Sequence, residues 1–538
     1  DARTGRPDPS FGVDGAVPIR KSTVAPAIAG DQLLIATNKP AARRAFSLRS
    51  GEPLWETGLL RFGSESSGCS PWGGFSVDTR RGLAFVTTGN PRPAMYGIGR
   101  PGNNPHCNSV VAIDTRSGEI AWAFQEVAHD LWNFDITGPP ALTTIELGGE
   151  PIDVVAAATK IGNTLLLERD SGTPVFDYRL RRAPPSTVPG EVTAEYQPDL
   201  VLPEPLLDVG FESDDVSDIG PDNTASIRWQ IEDAVLGFFA PPAIGRTAIA
   251  YGLHGGAEWP GVAVDPDSGW LYAPINKIPW KLRLYLRSRS NEPLPGTAPG
   301  RLYAARCARC HGALRGGDHR SQGEVEISYA PGLIGTTQLA AYADAYRIDS
   351  FLRRHERATT ETFSQAELDL LRAWFAELDL ELGAAGHLVP DFYAAQLIDH
   401  QGYPGSTPPW GQIVALDLSS GRIRWRAPFG EYPELTRRGL PKTGQPNYGG
   451  LIATRGGLLF ATGTVDRKLR AFDSATGEEL WSFEPPAAGS APPTTYQIDG
   501  RQYVVVVATG GQFHGFEHRA SRIYAFALAP ASESQRND

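Results

Sequence analysis

The sequence predicts a mainly β chain, a β-propeller interrupted by an all-α segment. Three observations predict this. A short phrase ending in tryptophan recurs along the chain. Turn-forming residues are abundant, with 59 Gly and 45 Pro among 538 residues. One internal segment changes from strand-like to helical spacing.

The phrase reads Ala112-x-Asp114-x-x-x-Gly118-x-x-x-Trp122. It returns as Ala415, Asp417, Gly421, Trp425 and as Ala471, Asp473, Gly477, Trp481. A fourth copy, Ala45, Ser47, Gly51, Trp55, replaces the aspartate with serine. Weaker relatives are Asp170-Ser-Gly172 and Asp265-Pro-Asp-Ser-Gly269. Such a phrase predicts strand, tight turn, strand. The aspartate caps the turn with its own side chain, and the glycine takes a positive φ. The tryptophan supplies a broad flat surface for a neighbour. Gly421 and Gly477 are 56 residues apart, and Gly118 and Gly172 are 54 apart. Repeats of this length with several short strands are propeller blades. One such hairpin would fit a β-sandwich equally well; four matching phrases favour the propeller. The chain opens at Asp1-Ala-Arg-Thr-Gly5, the tail of the phrase, which predicts that an N-terminal part of the propeller is missing.

The formal net charge is −11, which argues against nucleic acid or an anionic membrane surface as partner. No apolar run reaches bilayer length. Four cysteines are too few for a disulfide framework. Cys69 and Cys107 either pair in an oxidising compartment or remain two buried thiols.

The chain divides into propeller over 1–291, an insert with Pro- and Gly-bearing linkers over 292–403, and propeller again over 404–538. Within the insert, Leu339, Tyr342, Ala343 and Tyr346 have helical spacing. Ser364-Gln-Ala-Glu367 is a capping box, followed by Leu368, Leu371, Trp374, Phe375 and Leu378 on one helix face. The insert also carries Cys307-Ala-Arg-Cys310-His311, the attachment pattern of a c-type haem. The two thiols bond the porphyrin and His311 ligates the iron. A redox Cys-x-x-Cys is one alternative. Half a zinc site is another, but no second cysteine pair completes it. The single methionine, Met95, lies outside the insert. The sixth iron ligand is therefore sought at His355, with His319 and His387 as other candidates. Histidine ligation, or an open site, gives a lower potential than methionine would.

The tryptophan phrase resembles the docking motif of dehydrogenases that use pyrroloquinoline quinone (PQQ). Further motifs occur in that family's order. They are Trp72-Gly-Gly-Phe, Thr88-Gly-Asn90-Pro, His129-Asp-Leu-Trp132-Asn133-Phe-Asp135, Thr159-Lys160, Glu258-Trp259-Pro-Gly and Asn276-Lys-Ile-Pro-Trp280. The stretch from Pro446-Asn-Tyr-Gly-Gly450 through Asp473 looks most like the glucose/quinate/shikimate branch. The resemblance implies an eight-bladed propeller. It places Trp72 flat beneath PQQ and Asn90 on a divalent cation, usually Ca²⁺ or a similar divalent or lanthanide ion. It sets Lys160 against the quinone and the catalytic carboxylate, and Asn276 near the cofactor. Each of these residues alone also has a plain structural reading, as core tryptophan, surface cation or turn amide.

Two departures bear on activity. The family's proton-accepting aspartate falls at Asn133, and an amide cannot act as a base. Asp135 and Asp130 are the carboxylates nearby. Asp135 is favoured by strand alternation, and it also falls where some relatives place an extra metal ligand. The acidic metal ligand expected before Trp55 has no match in Thr37–Arg44. The resulting expectation is a periplasmic quinohaemoprotein dehydrogenase. It would oxidise a small alcohol, polyol or sugar with PQQ and pass electrons through haem c to an external acceptor, a cytochrome or a quinone-linked protein. The alternative is a catalytically impaired propeller-cytochrome serving electron transfer or binding.

Overall fold

The computed structural model describes residues 4–38, 41–58, 67–288, 293–315, 318–322, 325–330, 333–334, 363–384, 388–511 and 519–528. Their architecture is a series of antiparallel meanders. Ala27–Ala29, Gln32–Asn38, Ala41–Ser47 and Pro53–Gly58 form one four-stranded sheet in chain order. Phe75–Asp78, Leu83–Thr87, Ser109–Asp114 and Ile120–Gln125 form the next. Another follows at Leu451–Thr454, Leu458–Ala461, Leu469–Asp473 and Glu479–Phe483. Sequential pairing through tight turns is what the repeated phrase demands.

The phrase performs as expected at both ends. Asp114 Oδ1 accepts the amides of Arg116 and Ser117, each at 2.9 Å, and Asp473 Oδ1 does the same for Ala475 and Thr476. Gly118 and Gly477 sit at φ 75° and 76°, a region costly for other residues. Each tryptophan then reaches the next sheet. A Cβ on Gly118 would lie 2.4 Å from the Trp55 indole, one on Gly172 2.5 Å from Trp122, and one on Gly477 2.6 Å from Trp425. The three indole N–H groups donate to the carbonyls of Thr115, Arg169 and Ser474 at 2.9, 3.1 and 3.1 Å. Between sheets lie apolar layers, such as Phe85, Val110, Ala112, Ile136, Val155, Ala157, Leu165 and Leu167.

The chain leaves the propeller through a hairpin. Trp280–Ser288 pairs with Leu388–Gln396 along its whole length, from Trp280 opposite Gln396 to Ser288 opposite Leu388. Thr247–Ala250 pairs on the other side. Leu388–Gln396 lies inside the predicted 292–403 segment, yet it is a sheet strand; its apolar alternation was obscured by the Pro-rich stretch that follows. The segment is also not all-α. Asp318–Gln322 and Val325–Ala330 form a hairpin, consistent with Val325, Ile327 and Tyr329 alternating with polar residues.

Helices Ala298–Arg306, Ala308–His311 and Gln365–Ala384 surround one apolar cluster. It contains Tyr303, Cys307, Leu333, Leu371, Trp374, Phe375 and Leu378. The capping box forms: Ser364 N donates to Glu367 Oε2 at 2.8 Å, and Glu367 N donates to Ser364 Oγ at 3.3 Å. Arg315 and Asp379 make a fully buried ion pair at 2.7 Å. The helical spacing at Leu339–Tyr346, and the ligand candidates His355 and His387, lie outside the described residues. His319 is on the first strand of the 318–330 hairpin.

Trp122→Ala is expected to lower the free energy of unfolding by about 3 kcal/mol, since a large side chain and its hydrogen bond are both lost. Urea denaturation measures this. A loss within error would show that the inter-sheet dock contributes nothing.

Candidate active site

The segment Glu126–Gly138 connects two sheets and holds most of the predicted site. Its course is set by buried polar groups. Asp130 Oδ1 accepts the Trp132 amide at 2.7 Å, and Oδ2 accepts Phe134 N at 2.8 Å and Asn108 Nδ2 at 2.9 Å. His129 contacts Gly102 O at 2.7 Å and Glu191 Oε1 at 2.6 Å. Burial opposes ionisation of Glu191, but His129 and the Gly97 amide outweigh it and hold the carboxyl below its usual range. Trp132 donates to Ala240 O at 2.7 Å and stacks on Phe134. Asn133 is thereby held at φ 63°, in the left-handed region.

This course brings together residues distant in sequence. Asp135 Oδ1 accepts the backbone N–H of Asn90 at 2.6 Å. Asp135 Oδ2 lies 3.8 Å from Lys160 Nζ. Lys160 donates to Asn133 Oδ1 at 3.0 Å and Asn133 O at 3.3 Å. Asn90 Nδ2 donates to Pro91 O at 2.9 Å, leaving Oδ1 as the atom able to coordinate a cation. Trp72 closes the group. A Cβ on Gly89 would lie 2.7 Å from Trp72 Nε1 and 3.6 Å from Asp135 Oδ2, so only glycine lets the indole approach. Trp72, Asn90, Asn133, Asp135 and Lys160 therefore lie together.

Asp130 and Asn276 are placed differently. The oxygens of Asp130 are occupied by the turn it organises, and burial raises its pKa. Asn276 is bound reciprocally to Asn447: its Nδ2 donates to Asn447 O at 2.9 Å, and its Oδ1 accepts Asn447 N at 2.9 Å and Nδ2 at 2.8 Å. Cys69 and Cys107 form a disulfide, and Cys69 N donates to Asn90 O, so the bond braces the Asn90 segment.

Two acids of this region had no assigned role from sequence. Glu126 is buried, with Oε1 accepting Thr159 Oγ1 and Asn163 Nδ2, each at 3.0 Å. Burial pushes its pKa up to about 8, against those two hydrogen bonds. Glu258 is also buried, and neither of its oxygens has a hydrogen-bond partner. Burial pushes it up to about 8, opposed by Lys160 and assisted by Asp135. Glu258 stood in a recognised motif, but burial without a partner has no sequence signature.

Among the described residues, no three His, Cys, Asp or Glu side chains converge as a metal group. Asn90 and Asp135 still fit a hard divalent cation in part, as oxygen donors whose remaining ligands come from backbone and cofactor. A cavity of about 520 Å³ bordered by Val77, Asp78, Leu142 and Arg169 holds none of the site residues. Cys307 and His311 lie one helical turn apart and are both buried, Cys307 within the Tyr303–Trp374–Phe375 cluster. That is an apolar setting suited to a haem.

Glu126 and Glu258 bind protons in the folded chain that they release when unfolded, between the ordinary value of 4.5 and about 8. Their contribution to stability is full below 4.5 and is lost as pH rises toward 8. Unfolding free energy measured from pH 5 to 8 should therefore fall, and Glu126→Gln should flatten the slope. An unchanged slope in that variant would refute the assignment.

Residues 1–306 and 340–504 match the family described as "PQQ: Glucose/ethanol/alcohol dehydrogenase, beta-propeller domain". The chain is 27% identical over 497 residues to the glycerol dehydrogenase large subunit of Gluconobacter oxydans (strain 621H), covering 87% of this chain and 57% of that protein. It is 26% identical over 519 residues to the quinoprotein glucose dehydrogenase of Escherichia coli (strain K12), covering 90% and 54%. The chain thus spans about half the length of these relatives. The crystal structure of quinohemoprotein alcohol dehydrogenase from Comamonas testosteroni superposes with TM-score 0.52 at 18% identity, covering 94% of this chain and 60% of that one, a likeness of fold. With most of its length matched, and with the inter-sheet tryptophan docks in place, the chain belongs to the β-propeller family of PQQ-dependent glucose, ethanol and alcohol dehydrogenases.

Proposed function

We propose that this chain belongs to a periplasmic quinohaemoprotein dehydrogenase with an eight-bladed propeller. It oxidises a CH–OH group of a small alcohol, polyol or sugar and passes the electrons through haem c to an external cytochrome or quinone-linked acceptor. The observation that carries the reading is the convergence of half-buried Trp72 with buried Asn90, Asp135 and Lys160 from separate segments. Trp72 offers an indole face to a planar cofactor. Asn90 Oδ1 and Asp135 hold a divalent cation, Ca²⁺ or a lanthanide. PQQ, when bound there, supplies a two-electron acceptor polarised by that cation. Asp135 takes the substrate hydroxyl proton, while Lys160 balances its charge and orients the site. Asp130 holds the turn that presents Asn133 and Asp135.

The haem assignment is supported by the Cys307–His311 motif, by its apolar surroundings and by a break in the family match at residues 307–339, where the motif begins. Cys307 and Cys310 attach the porphyrin and His311 ligates the iron; His355 is proposed as sixth ligand. A haem beside a quinone site has a physical rationale, because a two-electron donor is drained in single-electron steps.

Asn133 favours a second reading, a propeller-cytochrome without turnover. Its amide accepts from Lys160 where the relatives' aspartate would form an ion pair.

Reconstitution with PQQ and Ca²⁺, followed by dye reduction with a panel of alcohols, polyols and sugars, separates the two. Turnover in the wild type, lowered at least about 100-fold by Asp135→Asn, supports the enzyme reading. No turnover in the wild type, with activity appearing in Asn133→Asp, supports the second. Replacing Cys307 and Cys310 by serine should remove haem from the protein on a denaturing gel. Covalent haem surviving in the double variant would exclude attachment there.

A further inference from the structure

Arg43 has no part in the roles above, and it is fully buried. It stands on strand Ala41–Ser47, opposite Ala36 on one side and Thr57 on the other. Side chains alternate along such a strand. Arg44 turns outward and pairs with Glu56 at 2.8 Å. Arg43 shares the face of Ala45, which joins one apolar cluster with Ala84 and Phe75 of the next sheet. The guanidinium is thus carried in between two sheets.

Five arginines are buried among the described residues, and four of them are answered. Arg100 donates to Asn104 Oδ1 at 2.6 Å, and Arg169 to Asp78 Oδ2 at 3.0 Å. Arg315 donates to Asp379 Oδ1 at 2.7 Å, and Arg470 to Asp466 Oδ1 at 3.0 Å. Arg43 differs: among the described residues neither Nε, Nη1 nor Nη2 has a hydrogen-bond partner. Burial alone pushes its pKa down to about 10, so the charge remains at neutral pH. Residues 37–44 contain no Asp or Glu to balance it. Buried charge in native interiors is paired, because an uncompensated ion is costly. The group that acts with Arg43 is His106, in the turn before strand Ser109–Asp114 of the next sheet. That turn is bent by three residues at positive φ, Asn104 at 55°, His106 at 67° and Asn108 at 48°. His106 O accepts Thr88 Oγ1 at 2.7 Å, which anchors the turn. His106 Nδ1 is buried, and among the described residues it has no hydrogen-bond partner. Burial and Arg43 hold the ring below the usual histidine range, so it is neutral and offers one N–H. Two donors from adjacent sheets therefore face each other with no acceptor.

We propose that Arg43 and His106 form a binding site for a small oxyanion, a carboxylate or a phosphate group. The guanidinium presents a planar fork that matches two oxygens of such a group. His106, as its Nδ1–H tautomer, adds a further donor. An anion brings both things the two side chains lack, acceptor atoms and negative charge; water brings only the first. The site stands apart from the PQQ reading, in which neither residue has a role.

The test is equilibrium dialysis of the full chain in Tris chloride at about pH 7, without PQQ, against radiolabelled acetate or inorganic phosphate. Wild type should bind about one anion per chain, saturably, in the presence of excess chloride, which lacks the paired oxygens. Tighter binding of acetate identifies a carboxylate ligand, and tighter binding of phosphate a phosphate ligand. Arg43→Met, uncharged and of similar reach, should bind at least about tenfold more weakly. His106→Asn, which tolerates the same positive φ, should bind at least about threefold more weakly. In chloride alone, Arg43→Met should withstand urea at least as well as wild type, since it removes an unpaired buried charge. The bound anion should raise the urea midpoint of wild type and leave that of Arg43→Met unchanged. A wild type that binds neither anion saturably overturns the proposal, as does Arg43→Met binding as tightly as wild type. Should Arg43→Met fail to fold, His106→Asn decides, and undiminished binding in that variant overturns the paired site.

Discussion

The sheets that frame the candidate site are joined by one packing contact, an indole laid on a glycine of the next sheet. Trp55 on Gly118, Trp122 on Gly172 and Trp425 on Gly477 repeat it with the same geometry. Two constraints meet at each glycine. It must take a positive φ to close its own turn, and it must lack a Cβ to admit the indole. The indole N–H then donates to a carbonyl of that neighbouring turn, so a polar edge is satisfied where the flat face is buried. Where the series departs, the contact adapts. Phe176 packs on Gly421 with Leu202 beside it, keeping the apolar face without the hydrogen bond.

Sheets locked in this way can carry polar groups between them that a looser fold could not. The Glu126–Gly138 segment contains or touches Asp130, Asp135, Glu126, Lys160 and Glu258, all buried. Buried charge is tolerated only when paired or supplied with donors. Asp130 meets three donors and His129 meets Glu191, so these residues build the segment. Asp135 accepts one backbone N–H and faces Lys160 at 3.8 Å, while neither oxygen of Glu258 has a hydrogen-bond partner. The gradient from satisfied to unsatisfied separates the groups that hold the segment from those, such as Asp135, proposed above to react. It also explains why Asp130 and Asp135, five residues apart on one segment, do different work.

The same reasoning separates the insert from the propeller. Its chain departs at Ser288 and returns at Leu388 on directly paired positions. An excursion hung on the end of a hairpin leaves the sheet register intact, because both strands remain bonded to each other. The insert builds its own core around Tyr303, Trp374 and Phe375, tied by the buried Arg315–Asp379 pair.

The amino-acid sequence by itself determined the blade phrase, its turns, the capped helix at Gln365–Ala384, the Cys-x-x-Cys-His pattern and most members of the proposed site. These are local: a turn needs its Asp and Gly three or four residues apart, and a helix cap needs Ser and Glu three apart. Tertiary structure alone decided which polar residues are spent and which are free. Asn276 looked like a cofactor amide, but Asn447, 171 residues away, takes its bonds. Strand alternation favoured Asp135 over Asp130, and the contacts of Asp130 with Asn108 and of Asp135 with Asn90 show how differently the two are held. Glu258 stood in one of the family-like motifs with no role of its own, and only the fold shows that burial leaves its oxygens without donors. Whether a buried group is paired depends on neighbours brought from remote segments, and spacing along the chain carries no trace of them.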